Sequence, residues 1–305
     1  MVLLSFGVVA DKDGKFGEQC LIRNEVESMG SEMDIYYIDK MAAEAETILF
    51  QPEDSELLVG DKRYHLENVE GFFVFPPDRE LNIVAQNITD DMYDLKLSEM
   101  VSLVEGILYY FDDCDSTTTI NNHSNLYDEL YFLLNSGEIC INHPDTLIST
   151  NQEDIESFID KHEAVTIHPV NLPDKKVQTD NLDVVKREIE SGVVAKEYIR
   201  GTRYRTYIVD GSTVGGIKID NEELLYNHYG RDIGWSETDL PTKIISASET
   251  VAEKLEMNIG KLEFVLNERD VFIIPANHSF HFLEFEKHGV KVSRAIAGYL
   301  VGREY

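Results

Sequence analysis

AKEYIRGTRYRTYIVDGSTVGGIKID, residues Ala195 to Asp220, decides how this chain is read. Val193 to Ile199 is apolar and aromatic enough for a buried strand, and Gly201 ends it. Arg203 to Val209 alternates, with Arg203, Arg205 and Tyr207 on one face and Tyr204, Thr206 and Ile208 on the other. Asp210-Gly211 is a hairpin turn, because glycine tolerates positive φ. Thr213 to Ile219 is the return strand, and Lys218 lies on it. Arg203 and Arg205 therefore form a cationic pair. It is either a solvated sheet face or part of a grip on an anion.

Outward from this block, the rest of the chain reads as an α/β protein. Val2 to Ala10 is a buried-type strand, Gly17 to Met29 an amphipathic helix and Met33 to Ile38 a second strand. Short strands follow at Thr47 to Phe50, Ser55 to Val59 and Gly71 to Phe75. This opening β-α-β layer has no GxGxxG turn, so no dinucleotide site is supported. Leu97 to Tyr110 has helical periodicity, and a helix is expected near Leu126 to Asn135. Asn151 caps a helix over Glu153 to Lys161. Ala164 to Val170 is a strand, Asn171 to Asn181 a polar loop, and Leu182 to Glu190 a helix. Asn221 to Pro241 is a flap-like stretch. Ile244 to Leu255 is helical, Leu262 to Leu266 and Val271 to Ile274 are strands, and Val290 to Leu300 is a closing helix.

The 305 residues suffice for two or three subdomains. The expected division is an α/β domain over 1–88, a lid-like unit over 89–190, and a unit over 191–305 with the hinge, a strand pair and the closing helix. The 57 acidic residues against 27 Lys and Arg give a net charge of −30. Such a field argues against nucleic acid and anionic membranes. It suits a basic partner, or a halophilic source in which salt screens the self-repulsion. Cys20, Cys114 and Cys140 show neither metal-ligand nor disulfide spacing, which fits a reduced cytoplasm. The N-terminal run reads as a strand and not as a signal peptide.

Five strings in order resemble the ATP-grasp superfamily, most nearly ligases of the ribosomal-protein glutamate ligase type and microviridin-type macrocyclases. INNHSNLYDELYFLLNSGEICINHPDTLIST (Ile120 to Thr150) is similar to the family's helix-Gly-strand entry. KEYIRG (Lys196 to Gly201) resembles its adenine hinge, usually QEYI. RYRTYIVDGSTVGGIKI (Arg203 to Ile219) resembles its basic hairpin. LEFVLNERDVFIIPANHSFHFLEFE (Leu262 to Glu286) resembles its metal-binding strand pair, and HGVKVSRAIAGYL (His288 to Leu300) its closing helix.

The resemblance implies an N-terminal α/β domain followed by a two-subdomain ATP-grasp fold. It implies ATP and Mg²⁺ as cofactors, and a carboxylate activated as an acyl phosphate for attack by an amine or hydroxyl. Phosphates need cations, and Mg²⁺ needs hard oxygen ligands. Carried over residue by residue, Glu197 and Tyr198 fall at the hinge, Arg205 and Lys218 at the catalytic basic positions, and Glu263 and Asn277 at metal positions. His168 falls where the family has a phosphate lysine. Lys175 and Lys176 lie in the loop expected over the phosphates, where they either bind phosphate or form a solvated pair.

Other positions depart from the pattern. Leu126 replaces a second phosphate lysine, and Pro275 replaces a bridging glutamate. Glu284 offers oxygen ligands if its strand bends, whereas Glu286 aligns with the family and reads as structural. His278, His281 and His288 read as surface histidines or a transition-metal group, and Trp235 as a ligand cover or an interior anchor. The expected function is an atypical ATP-dependent carboxylate–amine or carboxylate–hydroxyl ligase acting on a peptide or small acid. The alternatives are a degenerate nucleotide- or partner-binding module, paired with an active paralogue or with itself, and a structural protein that has lost the site.

Overall fold

The computed structural model describes residues 2–7, 17–44, 46–74, 91–112, 118–120, 141–169, 177–179, 192–219, 235–237, 239–255, 257–268, 270–274 and 282–303. The chain opens with β1 (Val2–Gly7), α1 (Glu18–Ser28), β2 (Glu32–Tyr37) and α2 (Ile38–Glu44). β3 (Ile48–Gln51), β4 (Glu56–Val59) and β5 (Lys62–His65) form a small antiparallel meander. β6 (Val69–Val74), α3 (Asp91–Asp112) and β7 (Thr118–Ile120) follow. β1, β2, β6 and β7 make a parallel sheet in the order β2-β1-β6-β7. Its strands are near-continuous apolar runs because helices cover them. Leu4, Phe6 and Phe72 are fully buried against Met100, Val104 and Ile107 of α3.

A second sheet has the order β10-β9-β11-β8, built from β8 (Thr146–Ser149), β9 (Val165–Pro169), β10 (Val177–Thr179) and β11 (Val193–Glu197). Val193 and Ala195 turn their side chains to Ile155 and Ile159 of α4 (Gln152–Lys161). The expected cap of α4 is present, with Asn151 Oδ1 accepting from Glu153 N at 3.0 Å. The hinge strand β11 is therefore paired within this smaller sheet, between β9 and β8.

The third sheet holds β12 (Thr202–Val209), β13 (Ser212–Ile219), β14 (Trp235–Glu237), β15 (Ile259–Leu266) and β16 (Val271–Ile274), in the order β14-β13-β12-β15-β16. The β12–β13 hairpin turns at Asp210 and Gly211, both at positive φ (52° and 69°), as a primed two-residue turn demands. Gly201 and Gly216 are forced by proximity. A Cβ on Gly201 would meet the Leu266 carbonyl oxygen at 2.6 Å, and one on Gly216 the Arg205 carbonyl oxygen at 2.7 Å.

Among the described residues three further helices follow: α5 (Thr242–Lys254), α6 (Leu283–Lys287) and α7 (Val292–Leu300). α5 packs on one face of the third sheet, where Thr206 hydrogen-bonds Ser248. α6 and α7 pack on the other, where Tyr207 meets the ring edges of Phe282 and Phe285. The alternation read from Arg203 to Val209 is thus what the structure shows. One core runs from α1 through α7 into the third sheet, joining Ile22 and Val26 to Ile296 and Phe264. No described helix is long and apolar enough to cross a membrane. The helices expected near Leu126 to Asn135 and over Leu182 to Glu190 lie outside the described residues.

Candidate functional site

β12 and β15 run antiparallel with Arg205 directly opposite Glu263. Directly opposed residues share a face, and so do residues two apart. Arg203, Arg205, Lys261 and Glu263 therefore project together. Arg205 Nε donates to Glu263 Oε2 at 2.9 Å, and Arg203 Nη2 pairs with the other oxygen, Oε1. Glu284, on α6, accepts from Lys261 Nζ at 3.1 Å and from Arg205 Nη1 at 3.4 Å. Arg205, Lys261 and Glu263 are buried, and Arg203 keeps only 11% of its side chain exposed.

A further cation comes from the second sheet. On β11, Val193, Ala195 and Glu197 face α4, so Lys196 faces the opposite way, towards Glu263. It is 4% exposed. Burial pulls its ammonium down to about 7, and the Glu263 carboxylate opposes this only in part. Burial likewise holds Lys261 below its ordinary value, against Glu284. Burial also weakens charge on Arg205 and Glu284, but their partners outweigh it. Glu263 and Glu284 hold Arg205 above its usual value, while Lys261 and Arg205 hold Glu284 below the usual carboxylate range.

Among the described residues, four cationic side chains thus converge with two carboxylates: Lys196, Arg203, Arg205 and Lys261 with Glu263 and Glu284. The formal surplus is two positive charges, inside a chain whose net charge is −30. A low-dielectric cluster with surplus positive charge and several N–H donors suits a multiply charged anion such as a polyphosphate.

Several expected site residues sit elsewhere. Lys218 stands opposite Tyr204, so it leaves the sheet on the α5 side, away from Arg205. A one-residue offset in register places it on the wrong face for a joint role. Glu197 turns its side chain to Asp145 and His162 behind β11, away from Lys196. The hinge amides of Glu197 and Tyr198 donate to the carbonyls of Asp145 and Ala164, each at 2.9 Å.

Glu263, expected as a metal ligand, has both oxygens engaged by guanidinium groups. Mg²⁺ demands a near-octahedral oxygen shell. Glu263 and Glu284 amid four cations do not supply one, and Pro275 and Asn277 lie outside the described residues. Lys175, Lys176, Leu126, His278 and His281 lie outside them too. His168 stands opposite Val194 in the β9–β11 register, and Trp235 opposite Ile219. Glu286 is structural: its Oε1 accepts from the N–H and the hydroxyl of Ser293, each at 2.7 Å, at the start of α7.

Lys196 and Lys261 join the expected residues in the structure, and each carries a signal in the sequence. Lys196 replaces the glutamine usual in the resembled hinge. Lys261 sits two residues before Glu263 in the otherwise apolar run IGKLEFVL.

No family model matches the sequence, and no curated protein matches it. Solved structures do. The chain is similar to the ATP-grasp ligase PsnB complexed with a minimal precursor (TM-score 0.79, 13% identity, 99% of both chains covered). It is similar to the macrocyclase MdnC from Microcystis aeruginosa bound with precursor peptide MdnA (TM-score 0.75, 16% identity, 99% of this chain and 100% of that one). A RimK domain ATP-grasp protein from Sphaerobacter thermophilus is more distant (TM-score 0.60, 15% identity, 98% and 100% covered). The chain has the ATP-grasp fold, from its N-terminal α/β layer to its closing helix.

Proposed function

We propose that this chain binds ATP in the cleft between its second and third sheets and uses it to activate a carboxylate of a peptide. The carboxylate oxygen attacks the γ-phosphorus and ADP leaves. An amine or hydroxyl then attacks the acyl carbon, and inorganic phosphate leaves with the electron pair of the broken C–O bond. Lys196, Arg203, Arg205 and Lys261 hold the phosphate charge, the largest demand of such a reaction. The observation that carries this reading is the buried positive surplus on an ATP-grasp fold. The peptide as substrate rests on the precursor peptides bound to the similar ligases PsnB and MdnC.

A second reading is favoured by Glu263, whose two oxygens are held by Arg203 and Arg205. It is nucleotide binding without turnover, with protein cations replacing metal ions and the chain serving as a binding module for a peptide or an active paralogue. Melting with ATP and ADP, with and without a chelator, tests both readings, since a ligand at one hundred times its Kd stabilises by about 2.7 kcal/mol. Stabilisation by ATP with ADP release on a peptide supports the ligase. Stabilisation that survives chelation, with no ADP release, supports the binding module. No stabilisation by either nucleotide removes both.

A further inference from the structure

Behind the hinge strand lies a second cluster that the nucleotide reading does not use. Asp145 follows Pro144 just before β8, His162 directly follows α4, and Glu197 ends β11. One ligand atom from each lies within 4.8 Å of the others. His162 Nε2 is 3.5 Å from Asp145 Oδ2, and Nδ1 is 3.9 Å from Glu197 Oε1. The His162 side chain is only 8% exposed, and its ring packs on Phe158 with centroids 4.6 Å apart. Its Nε2 is buried and makes no hydrogen bond among the described residues. A buried ring nitrogen aimed at a carboxylate yet not hydrogen-bonded to it is unusual and asks for a partner.

We propose that Asp145, His162 and Glu197 form a site for a divalent first-row transition metal, of which zinc is the best fit. One imidazole nitrogen with two carboxylates is a set that zinc accepts, while the nitrogen ligand disfavours Mg²⁺ and Ca²⁺. The half-exposed side of Asp145 leaves room for a water as the fourth ligand.

The backbone already holds two of the ligands together, since Glu197 N donates to Asp145 O at 2.9 Å. Lys161 pairs with Asp145 Oδ2 at 2.7 Å but is 65% exposed, so it swings into solvent without leaving a buried charge. The ion would fasten the end of β11 to the end of α4, on the side of the strand opposite Lys196.

Cobalt(II) titration of chelator-treated full-length protein tests this, because tetrahedral cobalt absorbs strongly in the visible. One equivalent should bind and be displaced by zinc, and zinc should raise the melting temperature. His162→Gln should abolish uptake. Asp145→Asn, at an exposed side chain, should weaken it by about tenfold or more. Should His162→Gln fail to fold, as judged by circular dichroism, Asp145→Asn decides alone. No uptake by the unaltered protein, or uptake unchanged in a folded variant of either residue, overturns the site.

Discussion

Arg205 Nε donates to Glu263 Oε2 at 2.9 Å across the rung where the two residues stand opposite each other on β12 and β15. Both are buried, so the pair is held in a medium where a lost partner is costly. Arg205→Met should destabilise by about 3–5 kcal/mol, because it strips a guanidinium from Glu263 and from Glu284 together. The double change Arg205→Met with Glu263→Leu should recover much of that loss. Urea unfolding of the three proteins checks it. A loss below about 1 kcal/mol for the single change would show the pair to be solvated after all.

Lys196 should make stability depend on pH. Its proton is bound more weakly in the folded chain, at about 7, than in the unfolded one, near 10.5. The unfolded state therefore binds more protons between these values, and this group's contribution to stability rises with pH across that window. Below pH 7 the full penalty is present, and above about 10.5 it is gone. Lys196→Met should stabilise the nucleotide-free protein by about 2 kcal/mol or more at pH 6, from about 1.4 kcal/mol per tenfold change in proton affinity. The gain should shrink by pH 9.5, while nucleotide-induced stabilisation falls. A gain that is constant from pH 6 to 9.5 would mean Lys196 stays charged at no cost.

Much of this was readable from the chain. The period-two alternation of Arg203 to Val209, the Asp210-Gly211 turn and the Asn151 cap each follow from local sterics and hydrogen bonding, and each is where it was expected. The partnership of Arg205 with Glu263 was not readable, because it joins residues 58 apart through strand register. The same limit misplaced Lys218. Which face a strand residue takes depends on a pairing offset that a single strand does not encode. Glu197 falls in the hinge by position, but the parity of β11 sends its carboxylate behind the sheet and leaves Lys196 on the side of Glu263. The short strand β5 and the helices α2 and α6 escaped because they are too brief to show a period.

Glu18 should couple the N-terminal layer to the site. Its Oε1 accepts from the N–H of Phe282 and, at 2.9 Å, from that of Leu283, so a carboxylate from α1 caps α6. Glu18 is 4% exposed. Glu18→Ala should cost about 1–2 kcal/mol, the range of a lost helix cap. Nucleotide-induced stabilisation should fall too, since α6 carries Glu284. Glu18→Gln, which keeps one oxygen acceptor, should lie between the two. A cost below about 0.5 kcal/mol for the alanine variant would show that α6 holds its place without α1.

The net charge of −30 sets the last expectation. Acidic side chains repel one another over a Debye length, which falls from about 10 Å at 0.1 M salt to about 3 Å at 1 M. We propose that the chain is adapted to high salt, so its melting temperature should climb with KCl and its fold should fail when salt is withdrawn. Screening saturates by about 1 M, whereas exclusion of sulfate from apolar surface keeps strengthening the fold beyond that. A rise confined to the first molar of KCl therefore identifies charge repulsion. Nucleotide affinity should fall over the same range, because salt also weakens the attraction between phosphate and the cationic cleft. A melting temperature unchanged between about 0.1 and 3 M KCl would remove salt adaptation and leave recognition of a basic partner as the role of the acidic surface.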